Sequence, residues 1–329
     1  MRDIKRWLPG ALISILLIAA ILYFVDLPKM LAALRAADYR IIIVAVLLAF
    51  GWLYVRAFVW RTLLRKRAPY WAVFHSLNVG YLLNAILPFR LGELGCAYLL
   101  SLKTDLKFVE ILPTIVIERS VDLAITAALF LSALPFVAGV QGADQIAIIL
   151  GVLVVAGLLF MYILARNNQW ALDTFHKISA RWPSVQRFGG SILESFLTGL
   201  SVLTDGWLFA RFIFWMLLNW GMSIVTFYLL ARAFFPQVQW IWAMFGLGAG
   251  AFGNAVPSLP GAVGTYEGAM GGALTLLSGD KSTSLAVALT SHLINYLTAI
   301  VLGGYALIRD GQSLSGIYRQ LTAFMNKIE

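Results

Sequence analysis

Residues 233–279 read AFFPQVQWIWAMFGLGAGAFGNAVPSLPGAVGTYEGAMGGALTLLSG, and Glu267 is the only Asp, Glu, Lys, Arg or His among them. The stretch is too apolar for a soluble surface. Its middle is too rich in Gly, Pro and Asn for an unbroken helix. A broken backbone frees N–H and C=O groups that lipid cannot satisfy. Such breaks are tolerated where protein or a polar cavity surrounds them. The stretch is therefore expected to form a re-entrant hairpin, two half-helices joined by a turn inside the membrane. Residues 68–102 carry the same irregularity around Asn84, Pro88 and Gly92 and are read the same way.

Outward from these hairpins lie apolar runs at residues 7–25, 41–60, 108–140, 145–165, 212–231 and 282–308. A helix of about 20 residues crosses a hydrocarbon core of about 30 Å. The expected fold is thus an all-α polytopic membrane protein of about eight hydrophobic segments: six spans and two re-entrant helical hairpins. Composition agrees: 60% of residues are hydrophobic and 12% charged, against about a quarter charged in soluble domains. Residues 7–25 follow Arg2, Lys5 and Arg6, as in a signal peptide. The run is longer than a typical signal core and lacks a small-x-small cleavage site, so it is read as an uncleaved first span.

Residues 166–206 form the one sizeable polar connection, with Trp170, Phe175, Trp182, Phe188, Leu193 and Phe196 among basic and polar residues. This pattern fits interfacial helices on the cytoplasmic leaflet, either touching anionic lipid or serving as a plain connector. The tail beyond Arg309 reads likewise. The chain is expected to be one transmembrane domain over residues 1–329, with repeats at about 41–140 and 207–308.

The net charge is +9. With the N-terminus cytoplasmic and each hairpin returning to its own side, 17 Lys/Arg fall inside and five outside. That bias places both termini in the cytoplasm and accounts for the charge without nucleic acid. Three more cations, Arg56, Arg90 and Arg119, lie within apolar segments. Two full spans in place of each hairpin would give the same termini.

The hairpins resemble each other. Each runs Asn-Ala, an aliphatic residue, Pro, a Gly-containing turn and a Glu: Asn84 to Glu93 in the first, Asn254 to Glu267 in the second. In the expected topology one enters from the cytoplasm and the other from outside, which makes the halves inverted repeats. Transporters use that arrangement to place a substrate site near the midplane.

A charge at the centre of a span costs about 2.5–3.5 kcal/mol on insertion scales, so each one retained is a candidate. Glu267 follows Pro260-Gly261 and Gly264-Thr265-Tyr266, which should open a half-helix; it either binds or caps. Arg90 and Glu93 flank the first turn and are spaced to pair on a helix, while Arg90 is also shaped to grip a phosphate. Glu118 and Asp122 share a helix face, and Arg119 can reach Asp122. They lie about 15–20 Å into a span begun at Phe108, or at the interface if the span begins at Glu118. His292, with Ser291 and Asn295 beside it, reads as a hydrogen-bonding packer or a proton carrier.

Several chemistries find no motif. There is no G-x-x-x-x-G-K phosphate loop, no HExxH and no GxSxG elbow. His75, His176 and His292 are not at metal-ligand spacing. Cys96 is the only cysteine, expected to pack rather than react. No cofactor, metal or catalytic role is expected.

Residues 84–100 with their Pro88-x-Arg90-x-Gly92-Glu93 core, Glu118-Arg119-x-x-Asp122, and Pro260-Gly261-x-x-Gly264-Thr265-x-Glu267 resemble three motifs of one family, in order. It is the lysylphosphatidylglycerol synthase transmembrane, flippase-like family, and the resemblance is to a stand-alone member without the synthase domain. The resemblance implies translocation of a lipid across the bacterial cytoplasmic membrane. The headgroup would pass a polar cavity lined by Arg90, Glu93, Glu118, Arg119, Asp122, Glu267, Asn84, Asn254, Tyr266 and His292. Membrane lipids with an anionic or lipid-linked headgroup are the expected partners, with a second copy or a lipid-modifying enzyme as further candidates. The rival expectation is a non-transporting scaffold for such an enzyme, in which residues 166–206 would matter more than the buried charges.

Overall fold

The computed structural model describes residues 25–87, 91–134, 143–182, 204–256 and 258–314, together with 186, 189, 190, 193, 194, 196, 197, 200, 316, 317 and 319. Among these the protein is helical, without a strand. The helices are α1 (Leu27–Ala36), α2 (Tyr39–Leu63), α3 (Tyr70–Ile86), α4 (Gly92–Lys103), α5 (Phe108–Ala133) and α6 (Ala143–Arg166). They continue with α7 (Asn168–Ser179), α8 (Gly206–Phe234), α9 (Trp240–Ala255), α10 (Thr265–Ser278) and α11 (Lys281–Arg309).

By length and composition α2, α8 and α11 can cross a membrane. Each opens on an aspartate. Asp38 accepts from the Arg40 N–H, Asp205 from Leu208, and Asp280 from Ser282 and Thr283. These caps satisfy N–H groups that the first helical turn leaves open. Ile43, Leu47, Leu217, Leu293 and Ile308 project from the three helices, exposed, which suits lipid and not water. The expected first span at residues 7–25 lies almost wholly outside the described residues. Helix α1 was not anticipated; Asp26 caps it at Lys29 N and it packs on α11.

Both irregular regions are helical pairs. Helices α3 and α4 have 17 and 12 residues, α9 and α10 have 16 and 14. At 1.5 Å per residue the longest of them spans about 25 Å, short of the ~30 Å core. Glycine lets each pair close. A Cβ on Gly92 would run into the Gly80 carbonyl oxygen, and one on Gly253 into that of Thr265. Asn84 Oδ1 accepts the Gly92 N–H at 2.8 Å and bolts α3 to α4.

The packing is reciprocal. Helix α2 lies along α8 in the most extensive helix–helix contact among the described residues. The first hairpin packs through α3 against the π-helical turn Ala299–Gly303 of α11, the helix that follows the second hairpin. The second packs through α9 against α5, the helix that follows the first. One apolar core, with Phe227, Met270, Leu274 and Ile294, lies where α8, α10 and α11 meet. Another, with Trp60, Phe74, Leu100 and Ile111, lies where α2, α3, α4 and α5 meet.

Helix α5 is continuous from Phe108 through Pro113 to Ala133. No separate piece ends before Glu118, which therefore lies about 15 Å from the helix start.

Candidate functional site

The charges in the apolar segments gather in two places. The first joins α2, α4, α5 and α8. Arg56 of α2 is 2% exposed, and an unpaired buried cation would be prohibitive. Its Nη1 donates to Asp122 Oδ1 at 3.0 Å and to Asn219 Oδ1 at 3.2 Å. Its Nη2 donates to the other Asp122 oxygen and lies 2.5 Å from Glu118 Oε1. Trp220 Nε1 donates to Asp122 at 3.1 Å, and the Trp52 ring lies under the guanidinium at 5.9 Å. Arg56 and Asp122 thus form a two-pronged, charge-assisted pair.

Arg119 is held differently. Its side chain is 29% exposed, with contacts of 3.4 Å to Asp122, 3.6 Å to Glu118 and 3.9 Å from Nε to Glu93. Its buried Nε–H has no hydrogen-bond partner among the described residues, nor does the Tyr81 hydroxyl. Both groups border a cavity of about 20 Å³, also lined by Asn84, Gly92, Glu93 and Glu118. That volume holds about one water. A larger open hollow of about 660 Å³ lies against α1, and none of these acids is among its described lining residues.

The second place is the turn of the second hairpin. Gly261, Ala262 and Gly264 take φ values of 71°, 60° and 88°. A Cβ on Gly261 would occupy the Tyr296 hydroxyl. The turn delivers the Gly264 N–H to Glu267 Oε2 at 2.8 Å, so Glu267 does cap α10. Its other oxygen lies 2.6 Å from His292 Nδ1. A carboxylate only accepts, so Nδ1 carries the proton there. The imidazole sits between the rings of Tyr266 and Tyr296, at 4.6 and 4.7 Å. The Tyr266 hydroxyl bonds Ser291 Oγ at 2.9 Å and receives Asn295 Nδ2 at 3.5 Å.

The residues expected around one cavity therefore fall into two groups, with no bond between them among the described residues: Asn84, Glu93, Glu118, Arg119 and Asp122 in one, Tyr266, Glu267 and His292 in the other. Asn254 belongs to neither bonded group and is exposed at the end of α9. Arg90 lies outside the described residues, so its expected pairing with Glu93 does too. Cys96 is buried, its Sγ donating to the Glu93 carbonyl.

Sequence reading left Arg56 without a role and missed Asn219, Trp220 and Tyr296. One signal was available: a lone arginine inside an apolar run must find acids on other helices.

The sequence profile described as the lysylphosphatidylglycerol synthase TM region matches residues 7–303. The chain belongs to that family. No curated protein and no solved structure matches it. The described residues of the three motifs that carried the resemblance have places in the fold. The first closes the first hairpin and supplies Glu93. The second supplies the α5 charges that meet Arg56. The third builds the turn that sets Glu267 on His292. As a lysylphosphatidylglycerol synthase TM region with spanning helices, the chain is a multi-pass membrane protein.

Proposed function

We propose that this protein moves a lipid between the leaflets of a bacterial cytoplasmic membrane, its headgroup passing the polar groups beside the first hairpin while the tails stay in the bilayer. The observation that carries this is Arg119: a part-exposed arginine inside an apolar bundle, loosely held, with an Nε unpartnered among the described residues beside a small cavity that Asn84, Glu93 and Glu118 share with apolar side chains. A guanidinium so placed suits a phosphate. Arg90, three residues before Glu93 in the sequence, is the second cation proposed to contact it. Glu93, Glu118 and Asp122 balance these charges or meet a basic headgroup, and Glu267 with His292 lines the route at the second hairpin. The role is transport rather than catalysis.

Two hairpins too short to span, packed reciprocally against α5 and α11, support re-entrant inverted repeats. So does a second parallel. Each hairpin's glutamate meets a base on the helix that follows it, Glu93 with Arg119 and Glu267 with His292, at nearly the same interval. Both termini are read as cytoplasmic, from the Lys/Arg bias.

Reconstitution with fluorescent lipids tests the reading. Arg119→Gln is expected to slow flipping by at least about tenfold, a change of about 1.4 kcal/mol in the barrier. Undiminished flipping would remove the proposed site. The scaffold reading draws on α7 and the turn after it, where Trp170, Ile178 and Trp182 are exposed beside Lys177 and Arg181. It requires the opposite result: loss of function on changing Trp170 and Ile178, and none on changing Arg119.

A further inference from the structure

We propose that Glu93 gates this site: it holds Arg119 in the closed state, and a phosphate takes its place when the first hairpin opens. The proposal rests on the lipid reading above and names the step that admits the headgroup.

The geometry assigns the partners unequally. Arg56 already engages Asp122 with both Nη atoms and lies against Glu118. Those two acids sit on α5, the helix that carries Arg119. Their contacts with Arg119, at 3.4 and 3.6 Å, fasten α5 to nothing else. Among the described residues, Glu93 is the one acid that reaches Arg119 from another element, at 3.9 Å, in the first turn of α4. It stands on the Nε edge, where the N–H lacks a hydrogen-bond partner among the described residues. Releasing that contact removes an ion pair between α4 and α5, which still share the apolar core with Leu100 and Ile111, whereas releasing the other two loosens no contact between those helices.

The cavity at this point has room for about one water and none for a phosphate. Entry therefore requires α4 to move. Asn84, bonded to the Gly92 N–H, and the contact of Gly80 with Gly92 make α3 and α4 a single unit. What arrives must be anionic, because it inherits a guanidinium edge, the Tyr81 hydroxyl and the start of α4, which carries the partial positive charge of a helix N-terminus. Glu93 and a phosphate repel each other and cannot share that edge. The ligand class is a phosphate group with no cation of its own to balance it, on an anionic lipid headgroup or free; the phosphate of phosphatidylcholine, paired with its own quaternary ammonium, is the control.

Hydrogen–deuterium exchange on the full chain in nanodiscs tests this without reference to transport. In the wild type, exchange at residues 92–96 is expected to rise about threefold in phosphatidylglycerol over phosphatidylcholine, about what one partly exposed ion pair is worth. Glu93→Gln should exchange fast in both lipids, and Arg119→Gln should abolish the lipid difference. Inorganic phosphate added to phosphatidylcholine discs separates the sources. A rise there supports the gate with free anion as the ligand; no rise, beside a phosphatidylglycerol response, supports it with the headgroup.

The gate is overturned if Glu93→Gln matches the wild type in phosphatidylcholine, or if exchange rises equally in α8, which would mark general loosening. A wild type that flips lipid with lipid-independent exchange sinks the gate and leaves translocation standing. A wild type whose exchange responds but which flips nothing does the reverse.

Discussion

Two arginines within contact of the same acids do different work because burial differs. Arg56 is sealed at 2% exposure and shares Asp122 with Trp220. Removing one partner of a buried pair strands the other charge and costs about 3–5 kcal/mol. Arg56→Ala is therefore expected to lower stability by about that amount, read as a shift in unfolding by denaturing detergent. Arg119 is 29% exposed with contacts of 3.4–3.9 Å, and a partly solvated pair contributes no more than about 1 kcal/mol. Arg119→Gln should thus lose transport while unfolding close to wild type. Equal destabilisation by both changes would erase the distinction between a structural and a ligand-facing arginine. Sequence reading assigned phosphate contact to Arg119 and gave Arg56 no role, so it did not foresee that Arg56 is the enclosed one. The depth of a charge along a helix can be counted from the residue numbers, but its enclosure depends on which helices arrive beside it.

At the scale of elements, the hairpins depend on close backbone approach. In Gly92→Ala the new Cβ meets the Gly80 carbonyl and the Asn84 carboxamide, neither of which is a flexible side-chain end. Overpacking of this kind costs about 1–3 kcal/mol, and thermal unfolding should show the loss. A related regularity is visible in the residues themselves. Gly80 stands four before Asn84, as Gly250 stands four before Asn254, and both contact the second helix of their hairpin. The asparagines then diverge: Asn84 closes its turn, and Asn254 is exposed. Helix caps add a pH-dependent element. Burial would raise the Asp280 carboxyl, but bonds from the Thr283 hydroxyl and the Thr283 and Ser282 N–H groups outweigh it and hold the group below the usual carboxylate range. A depressed carboxyl stabilises above its unfolded value and loses that contribution as pH falls through the folded one. The stability gap between the wild type and Asp280→Ala, about 1 kcal/mol for an N-cap, should therefore be full at neutral pH and close below about pH 4.

For the whole molecule, the re-entrant reading predicts from which side of the bilayer each hairpin's turn can be reached. Cysteine labelling on a Cys96→Ser background measures this. Leu91→Cys and Ser258→Cys stand at the two turns. If the hairpins are re-entrant, an impermeant thiol reagent should not reach the first from outside or the second from the cytoplasm. Labelling from those far faces would mean full spans. The membrane class, the places of the breaks and the family were all determined by the residues alone, because hydropathy and helix-breaking are properties of consecutive positions. The tertiary structure decided what consecutive positions cannot express. It divided the expected single cavity into two groups, set Arg56 at the centre of one, and paired Glu267 with His292 in the other. The physical reason is that a buried charge is paid for by partners on other helices, and only folding determines which helices meet.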